Sequence, residues 1–151
     1  MEQEFIVPGE PRGKGRPRFQ RNGRPYTDSE TAAYERKIAA YWHRACGAFK
    51  WPREAFLEVT VVAYLPIPKG ASKVLQARME AHEVLPSRKP DVDNVAKVVL
   101  DALNGVAYHD DARVQRLNVS KYYAREPGLW VGIREVQNDG MDRGTSGTSG
   151  A

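Results

Sequence analysis

Apolar and polar positions alternate or recur along this chain in seven stretches. Glu4-Phe5-Ile6-Val7 reads as a short strand stopped by Pro8-Gly9. Thr27 and Glu30 have the spacing of a capping box, which predicts Thr27 as a helix cap. The helix then runs over Ser29–Ala45, with Tyr34, Ile38, Tyr41, Trp42 and Ala45 on its apolar side, and ends near Gly47. Leu57, Val59, Val61, Ala63 and Leu65 alternate with Glu58, Thr60, Val62 and Tyr64, the pattern of a half-buried strand closed by Pro66 and Pro68. Ser72–Glu83 reads as a polar helix. Asp91–Asn104 is the strongest helical pattern, with Val92, Val95, Ala96, Val99 and Leu103 in one stripe and Gly105 where a C-terminal cap belongs. Arg113–Tyr123 and Leu129–Val136 read as strands joined by the turn Arg125-Glu126-Pro127-Gly128, which predicts a hairpin.

The order is strand, helix, strand, helix, helix, strand, strand. It predicts an α+β fold, a single domain with helices packed on a mixed β-sheet. That domain covers residues 1–136. Residues 137–151 are dominated by Gly, Ser, Thr and charge, and are expected to be a disordered tail.

Composition narrows the class. At 151 residues the chain has room for one domain, and 41% hydrophobic with 28% charged residues is the balance of a globular one. It has no apolar run of membrane-spanning length. The opening Met1-Glu2-Gln3-Glu4 does not look like a secretory signal. The single Cys46 excludes an intramolecular disulfide, argues against a cysteine zinc site and suggests a cytoplasmic protein.

The net charge is +4, but its distribution says more. Arg12, Lys14, Arg16, Arg18, Arg21 and Arg24 lie between Pro11 and Pro25 with no acid among them, so the rest of the chain is net negative. Gly13, Gly15, Pro17 and Gly23 make this block a loop or an irregular hairpin. A localised basic block points to a polyanion, although a solvated basic arm has the same composition. Phe19, inside the block, either packs into a core or a dimer contact or wedges between bases.

Carboxylates concentrate further on. Asp91 and Asp93 stand at a helix start, where acids also serve as caps and complement the helix dipole. Asp93, Lys97 and Asp101 share one side of that helix at i, i+4 and i+8, either as a surface ion-pair row or as a lysine set among metal-binding acids. Asp110 and Asp111 follow in a turn. A helix and a tight turn returning along one face would bring one of them near Asp91 and Asp93. Oxygen donors without histidine or cysteine suit a hard cation, Mg²⁺ or Mn²⁺. Such a cation beside a basic surface is the equipment of a phosphodiesterase.

The stretch Lys89-Pro90-Asp91-Val92-Asp93-Asn94-Val95-Ala96-Lys97, followed by Asp101-Ala102-Leu103-Asn104-Gly105 and Asp110-Asp111, resembles the RusA family of Holliday junction resolvases. Gly13-Lys14-Gly15-Arg16-Pro17-Arg18-Phe19 and Pro25-Tyr26-Thr27 also resemble the family's opening. The resemblance runs from about Phe5 to Val136. It implies a homodimeric, Mg²⁺-dependent endonuclease, often encoded by phage or prophage, that nicks four-way DNA junctions in pairs. Asp91, Asp93 and Asp111 match the family's metal-binding acids, and Lys97 matches its essential lysine. Asp101 and Asp110 are supporting acids. The basic block, with Arg88 and Lys89, would hold the DNA backbone. For a dimer contact, the strand Leu57–Leu65 and the helix with Tyr34, Tyr41 and Trp42 are candidates, unless they form the monomer core. Two other readings remain: a DNA-binding module without catalysis, and a metal-dependent nuclease for flaps or other branched DNA.

Overall fold

The computed structural model describes residues 1–137. Three helices pack on a mixed sheet, an α+β fold. The elements are β1 (Glu2–Pro8), β2 (Arg18–Phe19), β3 (Pro25–Tyr26), α1 (Ser29–Cys46), β4 (Phe56–Pro66), α2 (Lys73–Glu80), α3 (Val92–Leu103), β5 (Val114–Ala124) and β6 (Gly128–Val136). A single 3₁₀ turn, Asp111–Arg113, precedes β5. The expected tail beyond Gln137 lies outside the described residues.

The large sheet has the order β1-β6-β4-β5. β6 is antiparallel to both β1 and β4, while β4 and β5 run parallel. The hairpin expected of the last two strands is therefore not formed, because β4 lies between them. The turn at Arg125-Glu126-Pro127 is present, but it steps across two strand spacings, roughly 9.6 Å. Four Cα–Cα steps of about 3.8 Å span that gap. The strand that separates β5 from β6 arrives from some 60 residues earlier, and β4 buries Leu57, Val59, Val61, Ala63 and Leu65 completely by having a neighbour on each side.

Those side chains share one face of the sheet with Phe5 and Val7 of β1 and Leu129, Val131 and Ile133 of β6. Against them pack Tyr34, Ile38 and Trp42 of α1 and Val95, Val98, Val99 and Leu103 of α3. The strand and the aromatic helix considered as a dimer contact are thus the monomer core. Burial raises the Tyr34 hydroxyl to about 12. The other sheet face is partly open. There, Trp130 folds over Gly132, where a Cβ would lie 2.5 Å from the indole, so only glycine fits.

Local chemistry sets the helix ends. α1 starts at Ser29 as expected, but its cap is Asp28 rather than Thr27. Asp28 accepts both the backbone N–H of Thr31 at 2.9 Å and its hydroxyl at 2.6 Å, two bonds that hold the carboxyl below its ordinary pKa. α2 ends at Glu80, three residues before the expected end. His82 takes φ of 63°, and the N–H groups of His82 and Glu83 donate to Met79 and Arg78 in the two-bond pattern of a left-handed helix stop.

Candidate active site

α3 carries the site. Its buried positions, Val95, Ala96, Val98, Val99, Ala102 and Leu103, face the core, which leaves Asp93, Lys97 and Asp101 in a row on its exposed side. Asp91 is the N-cap residue but makes no side-chain capping bond. Its carboxylate instead accepts from Lys89 Nζ at 2.6 Å, and this contact holds it below the ordinary carboxylate range. Lys121 of β5 adds positive charge nearby and donates to the Arg88 carbonyl at 2.9 Å.

Asp110 and Asp111 stand at the other end of α3. The charges that act on Asp111 are those of Asp110 and Asp101. Burial first, then the Asp110 contact, raise its carboxyl above the ordinary value. Asp110 accepts the Ala112 N–H at 3.0 Å and caps the 3₁₀ turn. Tyr108 lies beneath, buried, and donates to the Leu100 carbonyl at 2.8 Å. Its own burial and the charges of Asp111, Asp101 and Asp110 drive its pKa far upward.

The 3₁₀ turn before β5 therefore places Asp111 beside Asp110 and within reach of the Asp101 charge. Eight residues of helix separate Asp93 from Asp101, about 12 Å along the axis. Among the described residues no three Asp, Glu, His or Cys side chains converge as a ready-made metal cage. The donor chemistry, carboxylate oxygens only, fits a hard divalent cation. The placement gives two acids at one end of the row and three at the other, with Lys97 between them. None of the ion pairs among the described residues involves Lys97, so of the two readings of this row the surface ion-pair one is not formed.

Asp101 takes its partner from the basic block instead. Lys14 Nζ lies 2.9 Å from Asp101 and 2.8 Å from Glu35 of α1. Burial works against the Lys14 charge, but the two acids outweigh it and its pKa rises. The Lys14 N–H donates to the Asn94 carbonyl, and the Gly15 N–H to the Thr31 hydroxyl. A Cβ at Gly13 would come within 2.8 Å of Asn94, and one at Gly15 would collide with the Asp28 carboxylate. Residues 13–15 thus form a strap pressed onto the seam between α1 and α3, and both glycines are required by close approach.

The rest of the basic block separates into two groups. Arg12 pairs with Glu30, Arg88 with Glu10 and Lys89 with Asp91. Arg16, Arg18, Arg21 and Arg24 have no acidic partner within 4 Å among the described residues. These four belong to the β2–β3 ribbon, the irregular hairpin expected there, whose turn places Gly23 at φ of 83°. Phe19 is 67% exposed, so it does not pack into the core of its own chain.

Sequence reasoning missed Glu35 and Lys121. Lys121 had a legible signal: it occupies an inward-facing position of β5, between Val119 and Tyr123, where an apolar residue belongs. Glu35 had none, because its partner lies on another element.

The family described as Endodeoxyribonuclease RusA matches residues 8–134. The chain belongs to the RusA endodeoxyribonuclease family. It is 39% identical over 140 residues to the uncharacterized protein YqaN of Bacillus subtilis (strain 168), across 88% of this chain and 96% of that protein. Membership in the RusA family makes it an enzyme that hydrolyses DNA, a Holliday junction resolvase acting on branched DNA with a divalent metal. The α3 row and the strap both fall within the RusA match.

Proposed function

We propose that this endonuclease resolves four-way junctions by paired, symmetric nicks, with Mg²⁺ as its ion and Mn²⁺ as a substitute. The observation that carries this reading is the row of acids on α3 interrupted by Lys97, together with a ribbon of arginines, none of these cations being in an ion pair among the described residues. Asp91, Asp93 and Asp111 are the carboxylates assigned to the metal, with Asp101 and Asp110 in support. One or two divalent ions held by these carboxylates would acidify a water and offset charge at the scissile phosphate. Lys97, with no carboxylate in salt-bridge range among the described residues, is free to hold a phosphate oxygen or orient the water that attacks it. The paired lysines have other work: Lys89 faces Asp91, and Lys14 faces Asp101 and Glu35. The ribbon arginines hold the backbone without regard to sequence. Two opposed nicks require two sites, so the working unit is a homodimer with two-fold symmetry.

A substrate panel tests the reading. An immobile four-way junction, a linear duplex and a flap are each offered with Mg²⁺ and with EDTA. Cutting of the junction alone, abolished by EDTA, is the expected result. Preferential cutting of the flap would make this a flap nuclease, and binding without cutting would make it a DNA-binding module. Asp93→Asn should abolish cleavage and leave junction binding intact, whereas wild-type cleavage by this variant would remove Asp93 from the metal site.

A further inference from the structure

Phe19 is an apolar ring with nothing to cover. It is 67% exposed on a two-stranded ribbon that stands outside the main sheet. Register pairs Phe19 with Pro25 and Arg18 with Tyr26. Directly opposed residues share a face, so Phe19 and Pro25 make one face apolar and Arg18 and Tyr26 line the other. Arg16, Arg18, Arg21 and Arg24 flank it in sequence, and none of them has an ion-pair partner within 4 Å among the described residues. The ribbon is also anchored. The strap that leads into it is bonded to α1 and α3 through Thr31 and Asn94, which ties the base of the ribbon to the helix that carries the acid row.

We propose that the β2–β3 ribbon enters the branch point of the junction, and that Phe19 stacks on a base pair left without a stacking neighbour there. The arginines bring the ribbon to a polyanion, but phosphates offer nothing to an aromatic ring. Bases do, through their flat faces, and inside a continuous duplex those faces are covered by neighbouring pairs. They become available where the stack is interrupted, as it is where arms meet. A β-ribbon is narrow enough to enter a DNA groove, and base–aromatic stacking does not depend on sequence. Phe19 thus reads shape, while the arginines supply affinity for any DNA. This rests on the nuclease reading, and its test separates the two.

Binding is measured to an immobile four-way junction and to a linear duplex of the same arm sequence, at one salt concentration. Phe19→Ala should bind the junction about ten-fold more weakly and the duplex unchanged, the scale of one lost stacking contact. Phe19→Trp should restore the difference, and Arg18→Ala should weaken both substrates alike. 2-Aminopurine at the branch point, whose emission falls when its face is covered, should dim with the wild type and stay bright with Phe19→Ala. If the wild type prefers junctions but Phe19→Ala keeps that preference, weakens both substrates equally or is not rescued by Trp, the stacking role is wrong and the nuclease reading stands. A wild type with no preference for junctions would overturn the reading and this inference together.

Discussion

At Lys14, one ammonium group touches two helices. It pairs with Glu35 of α1 and Asp101 of α3, and all three side chains are only partly open to water. Lys14→Ala should therefore cost on the order of 1 kcal/mol, at the upper end for a surface pair and below the loss from breaking a buried one. Urea unfolding measures it. The raised pKa of Lys14 fixes the sign: this contribution is fully present below the unfolded value near 10.5 and is lost as pH rises through the folded one. Asp111 behaves in the opposite way. Its folded pKa is raised by burial and by its acidic neighbours, so its ionised form destabilises the fold above that pKa. Asp111→Asn should melt slightly higher than wild type at pH 7, the gap closing as pH falls towards 4, while cleavage is lost. Equal melting temperatures at pH 7 would show that the acids do not repel one another. The two residues also differ in how far they were legible. Asp111 stood in a recognisable run of acids. Lys14 looked like one more cation of a DNA-binding block, since Glu35 and Asp101 lie 21 and 87 residues away and no local pattern links them.

The helices were the most legible elements because their boundaries depend on neighbouring residues. α3 runs from Val92 to Leu103 between Asp91 and Asn104, as its valine stripe predicts. The Thr27 cap was misread by one residue, because Asp28 offers two carboxylate oxygens to Thr31 and Thr27 would offer one hydroxyl. Each last strand was placed to within a residue, yet their pairing was wrong. Turn chemistry at Arg125–Gly128 says where the chain reverses, not what has been inserted between the reversed strands. The ribbon β2–β3 is an element with few contacts of its own, so its arginines should be replaceable without unfolding. Neutralising Arg16, Arg18, Arg21 and Arg24 together should lower affinity for all DNA and reduce the slope of log affinity against log salt by about three to four, close to 0.9 per phosphate contact. An unchanged slope would detach the ribbon from the DNA.

On the scale of the whole molecule, the core uses residues from Phe5 to Ile133. Truncation after Gln137 should leave thermal stability and cleavage unchanged, which melting and a junction assay check. Loss of either would mean that the domain extends further. The proposed homodimer should sediment as such at micromolar concentration. Its contact must use surface other than the buried faces of β4 and α1. The sheet order has a further consequence, for synthesis. β6 is the last strand made, and it fills the gap between β1 and β4. Until it leaves the ribosome, β1 has no partner strand, and Phe5 and Val7 have no finished core to enter. At about 5–20 residues per second, that wait lasts several seconds or more for a strand that was made first. The acid row and the arginine ribbon are both complete before then, but the scaffold that holds them in place closes only with the final segment of the domain. A ribosome-bound chain stopped short of Gly128 carries every catalytic side chain and should cut nothing.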